Sequence, residues 1–267
     1  MSKAEQAAVA VMNKEIALAA AEQKELAALP AEIASAAWGA VEELNAHDII
    51  VPKIYHMQAM SKFVADGAAR PGDFCDSLTG ETLATKDQAL EIIVFGLYKT
   101  LIVKRADART GKFELDKVVR ITPQNALEYG NRPFQEIING SEYSNSLFYN
   151  FYCLVPGKID ELPYVLSLGS TKTKEAKKLA SMLIKLQQRG KPGAAVVFEV
   201  RSEAEKNDDG SWFGVNIKQG RASTAAELKI AYEWYQKSKT QEIKVKDDGD
   251  EHGAGQEVVS EGDDLDF

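Results

Sequence analysis

The chain has 267 residues, of which 45% are hydrophobic and 27% charged, and its formal net charge is −8. This composition is typical of a soluble protein with one large domain and appendages, or with two small domains. It excludes a membrane-spanning class, because no stretch approaches the roughly 18 consecutive apolar residues that a spanning helix needs. The acidic, Ala-rich N-terminus does not resemble a signal peptide, and the 2 cysteines are too few for a disulfide framework. We therefore expect a cytoplasmic protein, in the host cell cytoplasm if it is viral.

Residues 1–45 form the first predicted segment and are dominated by Ala, Glu, Lys and Leu. Their high helix propensity predicts a helix from about Lys3 to Ala28, and Pro30 suits the first turn of a second helix towards Leu44. Most apolar positions are Ala, which buries little area. We therefore expect this Ala-rich segment to pack on a partner or on another copy of itself, or to stay partly detached.

Residues 46–240 are predicted to form the body of the protein, which begins with an irregular stretch. Within it, His47–Tyr55 alternates loosely between apolar and polar residues and contains Pro52. Proline cannot donate a hydrogen bond to a sheet. An edge strand or an extended arm is therefore predicted at this point.

Strand patterns recur from residue 89 to about residue 219. The longest run, Ile92–Val103, contains Gly96, which predicts a bulge or a sharp bend. A polar turn with Gly111 then predicts a returning strand, and a looped or helical insertion is expected near Asn125–Gly140. The predicted strands are Ile92–Val103, Phe113–Ile121, Leu147–Val155, Pro163–Leu168 and a closing hairpin of Ala194–Arg201 and Trp212–Lys218 across the turn Asn207–Gly210.

One clear helix is predicted between these strands. Ser170 or Thr171 can cap its start, and Gly190 with Pro192 ends it. From residue 170 to residue 191 the chain carries six Lys and one Arg against one Glu, which makes the exposed face of the helix basic. The apolar stripe of the helix has 3- and 4-residue spacing and consists of Ala176, Leu179, Met182, Leu183 and Leu186.

Strands, one helix and a closing hairpin follow one another in the order of a five-stranded OB barrel, whose open face binds oligonucleotides. The predicted fold class is therefore mostly β with α additions (α+β), with an OB-like antiparallel five-stranded barrel and one intervening helix. A last helix is predicted from Ser223 to about Lys237.

Residues 241–267 form the last predicted segment, a disordered acidic interaction tail. They carry two basic and ten acidic side chains, and such a Gly-rich, charged stretch cannot bury enough apolar surface to offset chain entropy. A terminal phenyl ring beside a free carboxylate suits capture by an apolar pocket with a basic rim. The alternative is a solubility tail that happens to end in Phe. The predicted partner-binding residues are Asp263, Asp264, Leu265, Asp266 and Phe267.

These last residues resemble the tail of single-stranded DNA-binding proteins of bacteria and bacteriophages, which also end in several acidic residues and a Phe. The resemblance implies that the tip recruits replication or transcription proteins. It also implies a body that binds and protects single-stranded DNA in phage-type replication or recombination. A second resemblance to phage proteins of this kind, which have an OB core, lies in the order of strands around the basic helix, followed by the sequence Gly-Ser-Trp-Phe-Gly at 210–214.

The charges divide unevenly along the chain. Residues 1–51 have three basic and eight acidic side chains (−5), residues 52–240 have 27 and 22 (+5), and residues 241–267 have two and ten (−8). A basic body with an acidic tail is expected of a protein that binds a nucleic-acid backbone and whose tail competes for the same groove. Ordinary scatter of charge between domains is the alternative.

Binding to single strands requires aromatic faces for base stacking and basic side chains for the backbone. In the predicted strand 147–155, alternation puts Tyr149 and Phe151 on one face and Phe148 and Tyr152 on the other. One pair is expected to face a ligand groove, unless both pairs pack in the core. The predicted DNA-binding residues are Tyr98, Lys99, Lys104, Arg105, Tyr149, Tyr152, Lys172, Lys174, Lys178, Trp212, Lys218 and Arg221.

Catalysis finds little support in the sequence, which has no Gly-rich phosphate loop, no Gly-x-Ser-x-Gly and no His-Glu-x-x-His. His47, His56 and His252 are scattered without zinc-ligand spacing. We therefore predict no enzyme, no cofactor and no metal. The expected partners are single-stranded DNA, a protein that recognises the tail and, in a homo-oligomer, other copies of the chain. Two alternatives stay open, a phage structural or assembly protein and a nucleic-acid enzyme or strand-annealing recombination protein.

Overall fold

The computed structural model of the chain describes residues 50–207 and 210–240, and every element below lies within them. The strands are β1 (Lys53–His56), β2 (Phe74–Asp76), β3 (Thr82–Ala84), β4 (Ala89–Ala106), β5 (Phe113–Ile121), β6 (Gln135–Ile138), β7 (Ser141–Leu154), β8 (Tyr164–Gly169), β9 (Val196–Asn207) and β10 (Gly210–Ala222). The helices are α1 (Lys62–Ala65), α2 (Ala126–Tyr129), α3 (Thr173–Gln188) and α4 (Ala225–Thr240), with short 3-10 turns at Pro156–Lys158, Ser170–Lys172 and Gly193–Ala195. The strands form one mixed sheet with the order β10-β9-β4-β7-β8-β1-β2-β3, while β5 pairs with β4 and β6 with β7.

The long strand β4 is the centre of the sheet. Its first part pairs with β9, its last part with β5, and its other edge with β7. Val94 lies opposite Cys153 and Gly96 opposite Tyr152, so Phe95 is an extra residue in a bulge. A Cβ atom on Gly96 would lie 3.1 Å from the Tyr152 ring, which favours glycine at this bend. The predicted long strand with a bend at Gly96 is confirmed.

Hairpins connect several neighbouring strands. The hairpin β9–β10 is closed by Asn207 opposite Gly210, which confirms the prediction. Strands β6 and β7 are joined by the two-residue turn Asn139-Gly140, whose φ angles of 51° and 80° suit a type I′ turn. The insertion expected near 125–140 therefore contains both a helix, α2, and a strand, β6.

Each broad face of the sheet packs on one long helix. The buried residues of α3 share an apolar cluster with Phe151 and Leu166, and Tyr149 packs against that cluster. Residues of α4 share a different cluster with Tyr152 and Val165. We call the two sides the α3 face and the α4 face. The predicted alternation along β7, with Tyr149 and Phe151 on one face and Tyr152 on the other, is confirmed.

The ends of β4 and β7 that pair with β5 and β6 form a four-stranded unit, which we call the arm (residues 98–147). It has a small apolar cluster of its own around Leu101, Val103 and Ile121. Ala126 and Tyr129 of α2 pack against this cluster on the α3 face.

The two long helices are confirmed, with different starts. Thr224 and Glu227 form a capping box for α4, because Glu227 N–H donates to Thr224 Oγ1 at 3.2 Å and Thr224 N–H donates to Glu227 Oε2 at 2.7 Å. Helix α3 begins at Thr173, after a 3-10 turn, and has no side-chain cap bond. The predicted capping by Ser170 or Thr171 is therefore wrong.

Strand β1 corrects the prediction of an edge strand. It lies inside the sheet, between β8 and β2. Pro52 precedes the first strand residue, Lys53, so its missing N–H costs no ladder hydrogen bond.

The mostly β fold with added helices is confirmed, and the described strands form an open mixed sheet. Strands β1, β2 and β3 add to the edge of β8. The segment after β1 also contacts the closing hairpin, through the side chain of Gln58 and the backbone of Phe213. Gln58 accepts a hydrogen bond from Phe213 N–H at 2.9 Å and donates one to the Phe213 carbonyl at 3.0 Å.

The predicted Ala-rich segment 1–45 and tail 241–267 lie outside the described residues. Among the helices described, none has the length and apolar character needed to cross a membrane. The His, Cys, Asp and Glu side chains within 50–207 and 210–240 form no cluster of three that could hold a metal ion.

Candidate functional site

Two segments of the body carry its positive charge. Residues 98–121, which form most of the β4–β5 hairpin, hold seven basic and three acidic side chains, and residues 170–191, which include α3, hold seven and one. The remainder of 52–240 holds 13 basic and 18 acidic side chains. A phosphate backbone is therefore attracted to these two segments.

Tyr98 and Arg120 lie together on the β4–β5 hairpin. The register places Arg120 opposite Thr100, on the face that Thr100 shares with Tyr98. The guanidinium carbon of Arg120 lies 4.9 Å from the centroid of the Tyr98 ring, with Arg120 exposed and Tyr98 half-buried. This arrangement puts a cation that can bind phosphate beside an aromatic ring.

Tyr152 is a core residue, which corrects its assignment as a stacking residue. Its side chain is 6% exposed, and its ring centroid lies 6.0 Å from Phe95 and 5.1 Å from Tyr98. Burial raises the pKa of the Tyr152 hydroxyl, against a smaller lowering by Arg120. The Tyr152 ring therefore packs against Tyr98 in the core and is not available to stack on a base.

The other predicted residues of the hairpin divide between its two faces. Lys99 lies opposite Tyr149 on the α3 face, and both are half-buried. Arg105 is exposed on that same face, while half-buried Lys104 lies on the α4 face with Tyr98. On each face, one half-buried tyrosine, Tyr98 of β4 or Tyr149 of β7, thus has basic neighbours.

The predicted lysines of the α3 segment differ in their surroundings. Lys174 is exposed, while the ammonium of Lys178 lies 2.8 Å from the carboxylate of Glu175. Burial lowers the pKa of Lys172 to about 8, against a raising effect of Glu205. Residues 170–191 contain no aromatic side chain. The segment can therefore contribute phosphate contacts but no base stacking.

His56 lies next to Lys172 and is neutral at physiological pH, because burial and then the charge of Lys172 lower its pKa to about 2. Its ring stacks on Phe74 with centroids 4.6 Å apart, and its Nε2 lies 2.9 Å from Ser202 Oγ. These contacts connect β1 to β2 and β9, which indicates a structural role.

The closing hairpin offers less than the sequence predicts. The Trp212 indole N–H donates to the Glu205 carboxylate at 3.0 Å, so its polar edge is already bound. Lys218 is exposed. Residues 199–218 hold three basic and five acidic side chains, and this balance repels a phosphate backbone.

Arg221 is engaged by carboxylates of the chain itself. Two guanidinium nitrogens donate to Glu227 at 2.9 Å and 2.7 Å, and one also donates to Glu91 at 3.3 Å. Hydrogen bonding to Glu227 raises the pKa of Arg221, and the same pair lowers the pKa of Glu227 to about 2. Arg221, which the sequence predicts to bind DNA, thus orients the cap of α4, and Glu227 and Glu91 offset its charge.

Sequence reasoning missed four residues of the arm. Besides Arg120, they are Lys117, Tyr129 and Arg132, with Lys117 Nζ 5.0 Å and the Arg132 guanidinium 4.9 Å from the centroid of the Tyr129 ring. Counting back from the turn at Gly111 places Arg120 opposite Lys99, on the other face from Tyr98, because it misses the register shift between Val103 and Lys104. The contacts of Tyr129 depend on how α2 packs, which no local pattern indicates.

The predicted partner-binding residues of the tail, Asp263 to Phe267, lie outside the described residues. Among known proteins, no curated protein and no solved structure matches this chain. The Pam3 phage gp34-like protein family matches residues 20–246, which is most of the chain. The expectation of a bacteriophage protein is thereby confirmed, and the chain belongs to the Pam3 phage gp34-like family.

Proposed function

We propose that this phage protein binds single-stranded DNA with little sequence preference and protects it during replication or recombination. The observation that carries the proposal is the β4–β5 hairpin, where Tyr98 lies beneath Arg120 in a segment of seven basic and three acidic side chains. Basic side chains that neutralise phosphates release counterions, and an aromatic ring can stack on any base.

In this proposal the two basic segments have different tasks. On the α4 face, Tyr98 supplies a stacking surface and Arg120 a phosphate contact. On the α3 face, Tyr149 of β7 supplies a stacking surface and Lys99 and Arg105 supply phosphate contacts. The lysines of α3 extend the path of the backbone on this second face.

We also propose that the body is an elaborated OB-like barrel. Support comes from five strands in the order β10-β9-β4-β7-β8, with α3 between β8 and β9 in the chain. This arrangement resembles a five-stranded barrel with one intervening helix. In this view, the strands β1 to β3 are an insertion at the edge of β8, and Gln58 links them to the closing hairpin.

The acidic tail has two tasks in the proposed function. Its ten carboxylates compete with DNA for the basic segments, and Phe267 with its neighbours binds a replication or transcription protein. Deletion of residues 241–267 is therefore expected to tighten DNA binding at low salt and to abolish co-purification of a partner from infected cells. The variant Phe267→Ala should lose the partner and keep its DNA affinity, because it removes no charge. If the truncated chain binds DNA no more tightly at low salt, the tail does not compete.

The experiment that tests the proposed function is a titration of fluorescent oligo-dT with the full chain, with a blunt duplex of the same length as control. We expect binding to the single strand that weakens steeply as salt rises. Equal or tighter binding to the duplex would contradict the proposal.

A matched pair of variants tests stacking in the same assay. Tyr98→Leu removes the aromatic face but keeps an apolar side chain, and should weaken binding by about 1–3 kcal/mol. Tyr232→Leu is the control, because Tyr232 is a 61% exposed tyrosine on α4. Equal affinities of the two variants would show that Tyr98 does not stack on DNA.

A phage assembly protein is the second candidate function. One observation favours it, the exposed apolar side chains Phe113, Leu115, Phe134 and Ile137 on the arm. Surfaces of this kind commonly mark contacts with other proteins.

A further inference from the structure

The tip of the arm has an apolar face that no described element covers. Pairing of Phe113 with Ala106, Leu115 with Lys104, and Ile137 with Glu142 places all three apolar side chains on the α4 face of the arm. They are 37%, 44% and 72% exposed. The opposite face of the arm packs on α2. The α4 side of the arm is therefore open at its tip, although Ile102 further along the same side is buried.

A groove of about 470 Å³ lies at this tip. It is lined by Phe113, Gln135, Glu136, Ile137, Glu142 and Tyr143. The Glu136 carboxylate is paired with Arg132 at 3.0 Å. Glu142 is exposed and forms no ion pair within the described part of the chain. The groove is thus lined by three apolar or aromatic and three polar side chains and carries one uncompensated negative charge.

The turn between β4 and β5, at the same tip, has the opposite charge. Arg109 and Lys112 are exposed and form no ion pair with any described residue. The one acidic residue of the turn, Asp107, is occupied by the turn itself, since it accepts hydrogen bonds from Arg109 N–H at 3.0 Å and Thr110 N–H at 2.7 Å. A turn with the two basic residues Arg109 and Lys112 therefore adjoins a groove that carries the negative charge of Glu142.

Charge also argues against the chain's own segments outside the structure as occupants of the groove. Residues 1–49 hold three basic and eight acidic side chains, and residues 241–267 hold two and ten. Both segments are acidic and are repelled by Glu142. The occupant that fits is a basic segment next to an apolar residue, and the turn with Lys112 and Phe113 has this chemistry.

We infer that the arm tip joins two copies of this chain about a two-fold axis. In such a contact Phe113 and Ile137 of each copy face those of the other, and Lys112 of each copy meets Glu142 of its partner. One patch that holds both exposed apolar side chains and the two opposite charges is self-complementary, as an isologous interface requires. The patch is small, so the dimer is weak and salt-sensitive. This inference does not depend on DNA binding.

Sedimentation velocity of the full chain without DNA, over about 1–100 µM, where a small interface dissociates, tests the inference. We expect a concentration-dependent dimer. Ile137→Asp should give a monomer with an unchanged melting temperature, because Ile137 is 72% exposed.

Charge exchange gives the sharper test. Lys112→Glu and Glu142→Lys should each weaken the dimer at least about tenfold, because each places like charges together twice across the axis. The double variant should restore dimerisation, since it restores both pairs. Lys185→Glu, the same charge change at an exposed position of α3, is the control.

A wild-type chain that is monomeric over the whole concentration range would overturn the inference. A groove covered by a segment of the same chain would give this monomeric result. An oligomer whose mass Ile137→Asp leaves unchanged would overturn it too, because the contact would then lie elsewhere. Failure of the double exchange to recover dimerisation would exclude the two-fold pairing of Lys112 with Glu142.

Discussion

The arm and the rest of the sheet, which we call the body in this comparison, use similar residues for different purposes. In the body, both faces are covered by long helices, and aromatic or charged side chains that look functional in the sequence are committed to the structure, as Tyr152 and Arg221 show. In the arm, only one face is covered, and cations and apolar side chains remain exposed. Residue type alone therefore does not identify a binding residue. The covering of each sheet face decides which tyrosine or arginine is available.

The largest expected effect tests whether Tyr152 belongs to the core. Tyr152→Ala should lower the free energy of unfolding by about 3–5 kcal/mol, because a large buried ring is lost. Ile137→Ser in the arm should change it by less than about 0.5 kcal/mol, since that residue is 72% exposed. Urea unfolding followed by circular dichroism measures both. Similar values for the two variants would remove the distinction between body and arm.

A smaller effect is expected at the cap of α4. Glu227→Gln should cost about 1 kcal/mol at pH 7, because the capping box and the pair with Arg221 are weakened. The folded pKa of Glu227 is lowered to about 2. Its contribution is therefore complete above the unfolded pKa of about 4.5 and is lost as the pH falls towards 2. Unfolding of both proteins at pH 7 and pH 3 checks the sign, and a cost that grows on acidification would contradict it.

Lys172 is expected to destabilise the body slightly in its charged form. Its folded pKa of about 8 lies below the ordinary 10.5, so the unfolded chain binds more protons between these values and stability rises with pH there. Lys172→Met should raise the melting temperature by about 2–4 °C at pH 7, as a gain of about 1 kcal/mol implies. The gain should shrink towards pH 10. Lys174→Met, at an exposed neighbour, is the control, and an equal gain there would show that burial of Lys172 is not the cause.

Much of the fold could be predicted from local patterns. Gly96 in a long β-branched run indicates a bend, and the turn at 207–210 indicates the closing hairpin, because both signals arise from backbone conformation and alternation within a few residues. The turn Asn139-Gly140 is a signal of the same kind, and it could have predicted β6. The addition of β1 to the edge of β8 depends on long-range pairing, which no local pattern indicates.

The candidate site was harder to predict than the fold. Alternation separates Tyr149 from Tyr152, but it cannot show that α4 buries the face of Tyr152. The spacing of Thr224 and Glu227 indicates a capping box. A carboxylate at this position could have indicated that the nearby Arg221 forms an ion pair with it. Arg120 is placed beside Tyr98 only by the register of the hairpin, which shifts between Val103 and Lys104 and therefore does not follow from the turn alone.

The salt dependence of oligo-dT binding measures whether the β4–β5 hairpin binds the DNA backbone. Arg120→Gln should reduce the slope of log K against log salt by about 0.7, because on a single strand each neutralised phosphate contributes about that much to the slope. Lys206→Gln, an exposed cation of the acidic closing hairpin, should leave the slope unchanged. If Arg120→Gln keeps the wild-type slope, or if Lys206→Gln reduces it as much, the hairpin is not the binding surface.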